Sequence, residues 1–198
     1  MTARVPLSKR RGDWLIVAFF LLNLLFITYI VDLEQLVIPN AAHFTYPIWP
    51  PRFMVDLIHA YGHSFDPVLI ARPAWWKMTV LIDAVLFGPF YAIGIYAYAK
   101  GKEWIRIPSI IYGSMLITNV LIILSEEFYG AYPAPNPLIV LLLNAPWLLM
   151  PIFIIYRMAR ALHPFTQPQA DALAQGIEAP QPPASLHAPG MATPDRIG

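Results

Sequence analysis

A chain of 198 residues that is 58% hydrophobic and 13% charged, with a mean hydropathy of +0.54, is far more apolar than a soluble domain, in which about half of the residues are apolar and one quarter charged. This argues against a soluble enzyme. A formal net charge of +1 leaves no nucleic-acid footprint, and the lack of cysteine excludes disulfides, thiol catalysis and Cys-ligated metals.

The sequence predicts an all-α, integral membrane four-helix bundle. A helix needs about 20 apolar residues to cross a bilayer, and four runs qualify, over about 14–31, 78–99, 107–125 and 138–156. The first follows Lys9, Arg10 and Arg11, as a secretory signal would. Asp32, Leu33 and Glu34 follow it in place of a small-residue cleavage site, so it reads as a retained span. Residues 1–13 form a basic N-terminal segment and 14–160 the membrane domain. Residues 161–198, rich in Pro, Ala, Gln and Gly, read as a disordered tail.

Between the first two spans, residues 32–77 are too long for a hairpin and too apolar to be simply solvated. They are expected to fold as a non-cytoplasmic cap, with a short helix over 53–63 bounded by Pro51 and Pro67. Arg4, Lys9, Arg10, Arg11, Lys100, Lys102, Arg106, Arg157 and Arg160 fall on one side of the spans, and Arg52, Arg72 and Lys77 on the other. The positive-inside rule places both termini in the cytoplasm.

Carboxylates at membrane depth are costly and mark candidate sites. Asp83 lies inside the second span, Asp32 closes the first, and Asp66 precedes Pro67 in the cap. Asp32 reads either as a solvated helix end or as a ligand contact. Asp66 reads as a turn residue or a contact, and Asp83 as a contact unless Lys77 or Arg72 pairs with it. Asn144 and Trp147 share a face of the fourth span, beside Pro146 and Pro151, and Thr118 and Asn119 lie in the third. These polar groups either join helices or line a cavity. His59 and His63, at i and i+4 with Asp56 nearby, read as a solvated cap helix before a metal face. Glu126 and Glu127 mark the end of the third span, with one free to turn inward.

Several runs taken in order carry a resemblance: Trp14-Leu-Ile through Val31-Asp-Leu-Glu, Asp66-Pro-Val-Leu, Arg72-Pro-Ala-Trp-Trp-Lys, Gly88-Pro-Phe-Tyr, Tyr96-Ala-Tyr-Ala-Lys-Gly, Trp104-Ile-Arg-Ile-Pro-Ser and Asn144-Ala-Pro-Trp-Leu-Leu-Met-Pro. Over about residues 14–157 the chain resembles the EXPERA family, which includes a sterol Δ8-Δ7 isomerase branch and a sigma-2 receptor branch, and it looks closest to the receptor branch. The resemblance implies an intramembrane pocket for a sterol-like lipid or a cationic amphiphile. It implies that Asp32 meets the ligand's amine, that Asp66 supports the site, and that Asp83 stands where the receptor has a glutamate. It also matches Asn144 and Trp147 to an Asn-x-x-Trp shared with the isomerase branch.

On this reading Tyr112, Phe87, Tyr91 and Trp147 are expected as pocket walls. The isomerase branch moves protons with a His-x-x-x-Glu in the first span and a glutamate in the second, where this chain has Asn23, Thr28 and Val80. A complete acid–base pair is not evident. Ligand binding is therefore the first reading. A sterol or isoprenoid isomerase using Asp83, Asp32 and Asn144 is the second, and an accessory subunit of a larger membrane complex the third. No cofactor or metal is called for. Membrane lipids and a homodimer are the other expected partners, and the host membrane is either a bacterial plasma membrane or the endoplasmic reticulum.

Overall fold

The computed structural model describes residues 2–174 and 176–177. In chain order it runs β1 (Thr2–Arg4), α1 (Arg11–Val37), α2 (Arg52–Phe65), α3 (Pro67–Ala71), α4 (Ala74–Lys100), α5 (Arg106–Tyr129), α6 (Pro137–Ala159), β2 (Thr166–Pro168) and α7 (Gln169–Ala174). Four of these helices, α1, α4, α5 with its leading turn from Glu103, and α6, are long and apolar enough to span a membrane. Each extends beyond its charge-free run, and Asp13, Glu34, Lys77, Arg106 and Arg157 in these extensions find partners.

Two spans loosen at matching depth. Asn23–Asp32 in α1 and Asp83–Phe87 in α4 wind with i→i+5 hydrogen bonding, a wide turn often met at functional sites. Widened winding redirects carbonyls, and Tyr29 O accepts from the Trp49 indole N–H at 2.7 Å. That bond brings the loop after α1 back over the span.

In lipid, packing rather than water exclusion joins helices. Phe20 of α1 is fully buried and meets Phe90, Tyr91, Tyr98 and Tyr112, with ring centroids 5.6–5.7 Å away. Phe90 stacks on Tyr112 at 4.6 Å. Gly94 of α4 admits the Phe20 ring, since a Cβ there would sit 2.6 Å from its edge. Between α4 and α5 the chain turns at Gly101, whose φ of 59° closes the helix through Lys102 N–H to Ala97 O at 2.8 Å.

At the terminal end of the bundle, Asp13 is buried and paired with both Arg10 and Arg157, the latter at 3.1 Å. Both guanidiniums lie over the Phe165 ring, at 4.8 and 5.6 Å. β1 and β2 pair antiparallel, Thr2 against Pro168 and Arg4 against Thr166. The expectation of a disordered tail from residue 161 is thus corrected for its first part. Fully buried Phe165 anchors the segment beneath the bundle, and the N-terminal strand supplies the hydrogen bonds that the segment lacks on its own. Residues 178–198 lie outside the described residues.

At the other end α2 and α3 form the cap. The short helix expected over 53–63 is the longer Arg52–Phe65, with Pro51 before it. Arg72 holds the cap to α1. Its Nη2 donates to fully buried Glu34 at 2.8 and 3.0 Å, its Nε donates to Leu69 O at 2.9 Å, and its Nη1 donates to Ile38 O. His59 of α2 joins at 2.9 Å from Glu34. Arg72 itself stands at φ 49°, a backbone conformation that is costly for a residue with a Cβ and that these bonds offset.

Candidate functional site: a cavity with unpaired carboxyls

A cavity of about 530 Å³ opens among all four spans under the cap. Its walls are mostly apolar: Phe26, Ile27 and Val31 from α1, Met54, Leu57 and Ile58 from α2, Leu116, Val120 and Ile123 from α5, and Leu143 from α6. Into this lining project Asp32, Asp83, Asp66, Asn119, Asn144, Trp147 and Glu127. A small number of polar groups in an apolar concavity is the usual form of a ligand site.

Helical spacing delivers these groups. On α5 the lining residues Leu116, Asn119, Val120, Ile123 and Glu127 follow i, i+3, i+4, i+7 and i+11, which is one helical stripe. On α4, Trp76, Thr79, Val80 and Asp83 do the same, with Asp83 opening the wide turn. Its Oδ1 accepts from Thr28 Oγ1 at 2.6 Å across to α1. Asp32 ends the widened stretch of α1 and Asp83 opens that of α4; both line the cavity, and the Thr28 bond ties the two stretches together.

Neither Lys77 nor Arg72 reaches Asp83. Lys77 Nζ donates to Pro39 O at 3.3 Å, and Arg72 is committed to Glu34. Among the described residues, no ion pair engages Asp32, Asp66, Asp83 or Glu127. Burial pushes the Asp66 carboxyl up to about 6, with the Leu69 backbone amide acting in the other direction.

Asn144 donates to Val140 O within its own helix, at 3.0 Å. Trp147 Nε1 donates to Asn23 Oδ1 at 2.8 Å, and Asn23 Nδ2 to Phe19 O at 2.7 Å. Trp147 therefore both walls the cavity and ties α6 to α1. Thr118 bonds back to Ser114 O at 2.9 Å and is exposed.

Three expected wall residues are placed elsewhere. Phe87, Tyr91 and Tyr112 pack into the aromatic core with Phe20: the wide turn at 83–87 ends the cavity-lining stripe of α4 at Asp83, and Tyr112 lies one turn before Leu116, where the lining of α5 begins. Tyr91 stays in electrostatic reach of Asp83 and 3.4 Å from the Tyr112 hydroxyl. His59 turns to Glu34 and to the Phe44 ring, 4.9 Å away, while His63, one turn further on, is exposed.

Of the two acids ending α5, Glu126 binds the Tyr132 amide at 2.8 Å, and Glu127 turns into the cavity. The sequence signal for Glu127 was its place on the α5 stripe. Glu34 and Arg72 stand in runs that carry the resemblance, but nothing in the sequence pairs them, and Gln35 stands outside those runs. Gln35 receives the Trp76 indole N–H at the cavity rim.

Four long apolar helices enclosing a cavity under a cap define a multi-pass membrane protein. Comparison with known proteins agrees. Residues 53–158 match the model of the EXPERA (EXPanded EBP superfamily) proteins, and the chain belongs to that family. It is similar to "Sigma intracellular receptor 2" of Xenopus tropicalis, 32% identical over 165 residues, covering 78% of this chain and 91% of the relative. The proteins of that name from Macaca fascicularis and Homo sapiens are each 33% identical, over 171 and 170 residues, covering 79% of this chain and 92% of the relative.

Proposed function

We propose that this protein binds a cationic amphiphile or a sterol-like lipid bearing a polar head in its intramembrane cavity, with Asp32 receiving the head group, Asp83 orienting it and Asp66 adding a carboxyl at the cap end of the same cavity. The observation that carries this reading is a set of carboxyls lining an apolar cavity with no ion-pair partner among the described residues. A buried acid without a partner is expensive, and a cationic ligand supplies the partner. Asn144 adds a polar contact, and Trp147 an aromatic face that attracts cations.

Asp32 and Asp83, carried by the two joined wide turns and facing the same cavity, suit the holding of a cation. Moving a double bond calls for acid and base on opposite faces of the reacting carbons, so the geometry favours binding over isomerisation. The basic residues near the terminal ends of the spans support an orientation with both termini in the cytoplasm. The test is a thermal-shift titration of Asp32→Asn with a cationic amphiphile. A charge-assisted contact is worth about 1.5–3 kcal/mol, so affinity should fall about 10- to 100-fold. Unchanged affinity removes Asp32 from the site.

A further inference from the structure

The cavity has a second polar end. Glu127 is fully buried and lines the cavity with both carboxylate oxygens lacking a hydrogen-bond partner. Asp66, reaching down from the cap, is 5% exposed and leaves Oδ1 without a partner. Tyr61 of α2 lines the same cavity, and its hydroxyl is pushed above its ordinary value by burial and then by the Asp66 and Glu127 charges. Buried polar groups are nearly always satisfied in native structures. Two carboxyls with three empty acceptor atoms facing one cavity mark a place where donors are missing.

That end is separate from Asp83. Glu127 lies two residues from the cap end of α5, Asp32 five from the cap end of α1 and Asp83 nine from the cap end of α4. At 1.5 Å rise per residue Asp83 lies about 10 Å deeper than Glu127, with Asp32 between them in depth. One ammonium bonds carboxyls at about 2.8 Å, so it cannot serve Glu127 and Asp83 together.

We propose that the cavity selects a dibasic amphiphile, one cationic group resting on Asp32 and Asp83 and a second on Glu127 and Asp66, with the apolar stripe of α5 covering the chain between. This inference rests on the binding reading above and assigns Glu127 as the specificity-determining residue at the cap end. Without it, a second ammonium would be buried with no partner and the cavity would prefer a monoamine. With it, the second head gains charge-assisted hydrogen bonds.

The test compares decylamine with decamethylenediamine, by equilibrium binding to the full chain in lipid nanodiscs. The diamine should bind about tenfold tighter or more. Glu127→Gln should abolish that preference, while Asp32→Asn should weaken both ligands. Should Glu127→Gln fold poorly by its thermal melt, Asp66→Asn examines the same end and should reduce the preference. A wild-type preference for decylamine, or a diamine preference that persists in the folded Glu127→Gln or Asp66→Asn protein, overturns the two-ended site while sparing Asp32. Failure of both amines to bind, or their indifference to Asp32→Asn, overturns the binding reading and this inference together.

Discussion

Arg72 offers the sharpest test of how the cap is held. Replacing it with Met removes two charge-assisted bonds to Glu34, together with those to Leu69 O and Ile38 O, while keeping most of the aliphatic volume. Glu34 is fully buried and Arg72 is 3% exposed, so water cannot replace what is lost. Breaking a buried pair from one side costs about 3–5 kcal/mol, because the remaining charge is stranded. For a chain of this size that lowers Tm by on the order of 10 °C. Thermal unfolding of Arg72→Met, Glu34→Met and the double variant, in one detergent, measures it. The double variant should be more stable than the sum of the singles predicts, by about 2 kcal/mol, because removing Glu34 also removes the stranded charge. A drop under about 2 °C for Arg72→Met, or strictly additive singles, would refute the argument that this pair fastens the cap.

Two other outcomes follow from the same structure. Asp66 is held at about 6 against an ordinary 3.8, so its contribution to stability is fully present below the ordinary value and is lost as pH rises through about 6. Asp66→Asn should therefore flatten the fall in Tm between acidic and neutral pH, and an unaltered pH profile would contradict this. Gly94→Ala places a Cβ 2.6 Å from a Phe20 ring confined by four other aromatic rings, so it should cost about 1–3 kcal/mol. Phe20→Leu in the same chain should recover part of that in the melting curve.

The spans were legible because each is a charge-free run long enough to cross a bilayer, a property of local sequence. So was the arrival of Asp32, Asp66, Asp83, Asn144 and Trp147 around one space, which followed from their depth along the spans and from the family resemblance. What stayed hidden depends on contacts between distant residues. Arg72 meets Glu34 across 38 positions, and β2 is a strand only because β1 lies beside it. Phe87, Tyr91 and Tyr112 were expected as cavity walls on the family reading, and no local signal told that they pack into the aromatic core with Phe20. Glu127 resembled any acid at a membrane surface until the cap placed Asp66 and Tyr61 over it.

The widened stretch Asn23–Asp32 has a consequence for mutagenesis. An α-helix turns about 100° per residue, and a segment wound more loosely accumulates a different rotation over the same number of residues. Deleting one residue there would allow the segment to close as an ordinary α-helix and swing Asp32 by about that angle, with the composition of the span hardly altered. Alanine substitution along this stretch reports on side chains alone and is blind to such a change of phase. Single-residue deletions would expose it, because they alter where the carboxyl points while leaving the carboxyl in the chain.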